Sequence, residues 1–138
     1  MKFYNIYHHF YGDKQENLGH FSDERGVITD MFYNKAMNHG CIIQNQANAV
    51  RGNHYHNHTT QYTFVLSGTL RYYSSDLERK DIKVHNAIAG DFIISEPKEI
   101  HAMRAGRDGC VFIAFAEGPR GGEDYEKDTI RVESIIND

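Results

Sequence analysis

Several things are scarce or missing in this chain, and each absence removes a class of protein. It has no tryptophan, only two cysteines, and no excess of basic residues: the net charge is −4 and the isoelectric point about 6.1. A broad face for nucleic acid needs clustered Lys and Arg, so no nucleic-acid partner is expected. The longest apolar runs, such as Cys110–Ala116, are far shorter than the ~20 residues a bilayer-spanning helix needs, so no membrane partner is expected. The start, MKFYNIYHHF, has no uninterrupted apolar stretch of the secretory kind. Cys41 and Cys110 lie far apart, each in an apolar run, which reads as two buried reduced thiols in a cytoplasmic protein. Apart from a short turn near the C-terminus, no long stretch carries a helical period, and there is no internal repeat, low-complexity run or linker.

What remains is a succession of short strands. At 138 residues, 40% apolar and 25% charged, the chain reads as one domain able to bury a core. Alternation and turn residues predict strands near Lys2–Tyr7, Val27–Tyr33, Cys41–Ala47, the His-rich segment, Gln61–Ser67, Leu70–Ser74, Ile82–Asn86, Asp91–Ser95, His101–Ala105 and Cys110–Ala116. Ser67-Gly68-Thr69 reads as a turn, with Leu70–Ser74 folding back as a hairpin partner. This spacing argues for an all-β antiparallel barrel or jelly roll. Gln61–Ser67 and Cys110–Ala116 are apolar on both faces, so their outer faces need cover from a second sheet or another subunit, and a homodimer is expected. Residues 118–138 read as a Gly-rich break and then an arm, with an edge strand in Thr129–Ile136 that closes the barrel mouth and can bring Asp124 and Tyr125 to it.

The chemistry concentrates in Arg51–Gly68, RGNHYHNHTTQYTFVLSG. Residues two apart on a strand share a face, so His54 and His56 point the same way. A turn after His58 and a returning strand bring Gln61 to the same space. A second stretch, Gly90–His101 (GDFIISEPKEIH), supplies His101 after an apolar strand and a Pro turn. Imidazole nitrogens and an amide oxygen meeting at one point suit a divalent transition ion such as zinc, nickel, manganese or iron. Gln61 carries no charge, so such an ion would keep its full +2 and act as a stronger Lewis acid.

The two stretches resemble the paired motifs of the cupin superfamily, G-x5-H-x-H-x3/4-E-x6-G and G-x5-P-x-G-x2-H. Three departures stand out. Gln61 replaces the usual Glu, the glycine that opens the first motif is missing, and Pro97 comes one residue late, although the Gly90-to-His101 distance is kept. The resemblance implies a double-stranded β-helix (jelly-roll) cupin barrel spanning residues 1–138, with a core at about 20–117 and an arm at 118–138. Asp23-Glu24-Arg25-Gly26 and Arg51-Gly52-Asn53-His54-Tyr55-His56 are similar to small cupins of polysaccharide biosynthesis that act on nucleotide-linked keto sugars. These are the dTDP-4-dehydrorhamnose 3,5-epimerase-like proteins, the dTDP-sugar 3,4-ketoisomerases, and the C-terminal cupin domain of capsular polysaccharide enzymes.

That likeness implies proton abstraction next to a carbonyl, with metal or nearby donors stabilising the enolate. His54, His56, Gln61 and His101 are then the metal candidates. His58, on the same face if its strand continues, is the candidate base, with Tyr72 or Tyr73 returning the proton. Arg51 and Lys98 are candidates for binding the anionic substrate. Without metal, His54 or His56 takes over as base. Glu99 and the remaining histidines, His8, His9, His20, His39 and His85, read as structural or solvated. Other chemistries consistent with the motif are an oxygen-dependent dioxygenase, an uronate-processing cupin, and a non-catalytic module that binds sugar and metal.

Overall fold

The computed structural model describes residues 1–8, 10–11, 19–118 and 127–137. Within them lie eleven strands: β1 (Lys2–Asn5), β2 (Phe10–Tyr11), β3 (His20–Asp23), β4 (Gly26–Thr29), β5 (His39–Asn45), β6 (Val50–Tyr55), β7 (Thr60–Ser75), β8 (Lys83–Ala87), β9 (Asp91–Ser95), β10 (Ile100–Glu117) and β11 (Ile130–Arg131). β7, rich in Thr, Tyr, Phe and Val, has the residue types that fit a pleated, buried surface. It runs antiparallel to β10 from Ser75 opposite Ile100 to Thr60 opposite Glu117.

Each half of these two strands has its own outer neighbour. Gln61–Phe64 of β7 pairs with β9, and Leu70–Ser74 pairs with β8. His101–Arg104 of β10 pairs with β6, and Cys110–Ala116 pairs with β5. One sheet therefore runs β5-β10-β7-β9-β1-β2 and the other β11-β6-β10-β7-β8. The strands pass from one sheet to the other at Gly68 and Gly109, whose φ angles are 78° and 77°. A Cβ on Gly68 would stand 2.2 Å from the Gly109 carbonyl oxygen, so only glycine lets the backbones meet there. The turn expected at Ser67-Gly68-Thr69 is thus a bend, not a reversal, because both halves of β7 keep β10 as partner. Likewise, the strands expected at His101–Ala105 and Cys110–Ala116 are one.

The space between the sheets is filled by Val65, Leu70, Tyr72, Ile93, Met103 and Phe112. The outer face of the first sheet (Tyr62, Phe92, Ile94) is covered by Met31 and Met37 from the stretch after β4. The outer face of the second (Tyr73, Ile100, Ala102) is covered by Ile135, with Val132 and Ile136 beside it. Most of the cover for the strands that are apolar on both faces therefore comes from this same chain, while Leu66 stays exposed. β3 and β4 form a separate two-stranded sheet in which Phe21 sits opposite Ile28, 60% and 67% exposed. Asp124 and Tyr125 lie outside the described residues. Among the described residues, no helix is long and apolar enough to cross a membrane.

Candidate functional site

The site is built where β6 meets β10. His54 lies directly opposite His101, and the register then slips so that Ala102 faces Gly52, leaving Asn53 as the extra residue of a bulge. Gly52 and Asn53 are both left-handed, with φ of 86° and 57°. A Cβ on Gly52 would come within 2.7 Å of the His101 carbonyl oxygen, so the glycine ahead of the histidines is what lets β6 close on β10. The bulge also turns β6 toward the C-terminal segment. Asn53 accepts from the Val132 amide at its carbonyl and from the Ile135 amide at its side chain, both at 2.9 Å.

His54, His56 and His101 are all buried, and one ring nitrogen of each lies within 4.8 Å of those of the other two. His54 and His101 are nearest, with centroids 4.7 Å apart, against 5.0 Å for His54–His56 and 5.4 Å for His56–His101. Gln61, at the start of β7, lines the same cavity as His54 and His101. Its amide nitrogen donates to Thr63 Oγ1 at 3.1 Å, which leaves the amide oxygen as the donor atom for a cation. The cavity holds about 320 Å³; Ile43, Met103 and Phe112 form its apolar wall, and Arg51 and Arg131 stand among its lining residues.

Arg51 is held in place. Its Nε donates to Asn45 Oδ1 at 2.5 Å, while Asn45 Nδ2 donates to the Cys110 carbonyl at 3.1 Å. His56 Nδ1 lies 2.8 Å from the main-chain oxygen of Asp128. Burial raises the Asp128 carboxyl, but hydrogen bonds from Thr59 and the His58 and Asn57 amides outweigh it and hold it below the usual carboxylate range.

The other expected residues are placed elsewhere. His58 is exposed in the turn between β6 and β7, because the strand ends at Tyr55 and the chain leaves the shared face; its amide donates to Asp128. Tyr73 is wholly buried but on the outer face of the second sheet, since it alternates with Tyr72. Tyr72 points into the interior, its hydroxyl bonded to Ser95 and its ring stacked near His101 at 6.3 Å. Lys98 lines a different, polar hollow with Glu96 and Asp81, although its amide donates to the His56 carbonyl at 2.7 Å. Its φ of 65° is the left-handed backbone for which glycine is the usual choice, so the altered second motif keeps the turn without the glycine. Arg131, Asp128, Asn45 and Met103 are not among the residues the sequence singles out. No motif marks the first two, whereas Met103 is accessible as the next inward residue after His101 on β10.

No family model and no curated protein sequence matches the chain. Solved structures do. QdtA, a sugar 3,4-ketoisomerase from Thermoanaerobacterium thermosaccharolyticum in complex with TDP, is 18% identical over 84% of this chain and 85% of that one, with a TM-score of 0.64. The dTDP-4-dehydrorhamnose 3,5-epimerase from Sulfolobus tokodaii is 18% identical over 88% and 83%, with a TM-score of 0.64. The capsular polysaccharide assembling protein CapF from Staphylococcus aureus is 17% identical over 88% of this chain, at a TM-score of 0.63, but the match covers only 34% of CapF. At these identities the likeness is one of architecture: the chain has the all-β cupin jelly-roll fold that these structures share.

Proposed function

We propose that the protein is an isomerase or epimerase of a nucleotide-linked keto sugar. The observation that carries this reading is a single cavity holding buried imidazoles, a neutral amide and two arginines. Arginine is suited to bidentate capture of phosphate, so Arg51 and Arg131 take the diphosphate. The apolar wall of Ile43, Met103 and Phe112 takes the sugar ring. His54, which lines the cavity, removes the proton on the carbon next to the carbonyl. The C–H electron pair becomes the enolate, the proton passes to the imidazole, and its return to the other face or the neighbouring carbon gives epimer or isomer. The fold likeness to a ketoisomerase and an epimerase supports this assignment.

A second form of the site is favoured by the closeness of the three histidines. Their donor set fits a divalent transition ion (zinc, nickel, manganese or iron), with His54, His56 and His101 as ligands and Gln61 as a fourth. An ion bound there would polarise the keto oxygen. Elemental analysis of purified protein, and activity before and after chelation, separate the two forms.

The main test uses TDP-4-keto-6-deoxyglucose, the sugar nucleotide bound by a QdtA variant, incubated with the protein in D2O and followed by proton NMR. Deuterium entering next to the carbonyl, and its loss in His54→Asn, is the expected result. A folded protein that exchanges no proton of any nucleotide-linked keto sugar would refute the reading. Oxygen uptake with iron would instead indicate a dioxygenase, and sugar binding without product a non-catalytic module.

The proposal extends to a homodimer in the cytoplasm, where the unbridged Cys41 and Cys110 stay reduced. The β3–β4 hairpin supports the dimer. A two-stranded hairpin is marginal in water by itself, yet this one leaves Phe21 and Ile28 exposed. A second copy is the partner that would cover them.

A further inference from the structure

We infer that Asp128 is a positioning residue for His56, fixing which imidazole nitrogen carries the hydrogen and therefore which one is offered toward His54 and His101. A main-chain carbonyl can only accept. With the Asp128 oxygen 2.8 Å from Nδ1, it is Nδ1 that donates. Neutral His56 then keeps the lone pair on Nε2, the nitrogen left to meet His54 and His101.

The carbonyl is set in place by the same residue's side chain. Asp128 is 3% exposed, and its carboxylate accepts from the Asn57 amide at 3.0 Å, the His58 amide at 3.1 Å and Thr59 Oγ1 at 2.8 Å. All three donors belong to the turn that follows His56. The contacts therefore close a loop: the ring of His56 reaches the backbone of residue 128, and the side chain of residue 128 reaches the backbone just past His56. β11 extends the clasp on the other side of the histidines, with Ile130 paired to Tyr55 and Arg131 to His54.

The consequence is chemical. A base or a metal ligand needs a bare nitrogen, and the other tautomer would point an N–H toward His54 and His101 and serve as neither. The use of the tautomer rests on the proposed function; the tautomer itself does not, and the two are tested apart.

The experiment is an imidazole proton–nitrogen NMR correlation on 15N-histidine-labelled full-length protein without substrate, at about pH 8, where free imidazole is neutral. His56→Gln assigns the signal. The wild type is expected to show His56 as one tautomer with hydrogen on Nδ1. Asp128→Ala is expected to give a mixture, and Asp128→Asn, which retains an accepting oxygen, to restore the single form at least in part. Ile135→Ala loosens the same segment without touching these bonds and is expected to leave the tautomer unchanged. Hydrogen on Nε2 in the wild type, or an unaltered His56 signal in folded Asp128→Ala, overturns the inference; if that variant does not fold, the wild-type spectrum decides. The expected tautomer with no turnover of keto sugars sustains this inference and defeats the isomerase reading. Turnover with the opposite tautomer does the reverse.

Discussion

Removing Asp91 is the most sharply defined perturbation of this fold, because its carboxylate is fully buried and every bond to it is known. Asn5 Nδ2 donates to one oxygen at 2.8 Å; His85 Nε2 and the Ile88 amide donate to the other at 2.8 and 2.9 Å. Phe3 stacks on the His85 ring at 3.8 Å, so the group ties β1, β8 and β9 together. Asp91→Ala strands all three donors, which by the behaviour of broken buried pairs costs about 3–5 kcal/mol. For a domain of this size, at roughly 4 °C per kcal/mol, the melting temperature falls by about 12–20 °C. Asp91→Asn keeps one accepting oxygen and loses less, about 1–3 kcal/mol. The pH dependence has a definite sign. Burial raises the carboxyl, but the bonds from His85, Ile88 and Asn5 outweigh it, so the net shift is downward. A lowered folded pKa gives stability that is present in full above the unfolded value of about 3.9 and lost as pH falls through the folded value. Calorimetry of wild type and Asp91→Ala is therefore expected to show a constant gap from pH 7 to about 5 that narrows below about pH 4. A cost under about 1 kcal/mol, or a gap that widens on acidification, would refute this account.

Other consequences are open to direct measurement. Under the proposed function, Arg131→Ala is expected to weaken dTDP binding about five-fold by titration calorimetry, roughly 1 kcal/mol for an exposed charged contact, with the difference shrinking as salt rises. Gly68→Ala forces a left-handed alanine against the Gly109 carbonyl and is expected to cost more than the ~1 kcal/mol of backbone strain alone, read as a lower urea midpoint. For the proposed homodimer, Phe21→Asp combined with Ile28→Asp is expected to shift sedimentation from dimer to monomer while the melting temperature of the barrel changes little, and an unchanged mass would refute the hairpin as its contact.

Much of this was written in local pattern. An apolar run between Gly90 and a Pro turn placed β9 at Asp91–Ser95, and motif spacing brought His54, His56 and His101 together from separated segments. Local pattern failed where the outcome depended on long-range pairing. Gly68 reads as a turn in any short window; only its continued pairing with β10 on both sides makes it a bend. His58 extends the period of two by one step, but the strand ends at Tyr55 and the period ends with it. Arg131 and Asp128 reach the site through β11 and a buried set of hydrogen bonds, with no composition or spacing that announces them. Tyr73 and Tyr72 were both candidates because alternation says one faces inward without saying which.

Because β7 and β10 each serve as a rib of both sheets, the molecule has no seam along which its two layers can part. Loss of one layer takes the other with it, so melting followed at His54 and melting followed at Phe92 are expected to coincide. Traffic into and out of the cavity then cannot rely on a hinge between layers. What is left is the rim, where Val50, Arg51 and Arg131 line the cavity and stay exposed to solvent.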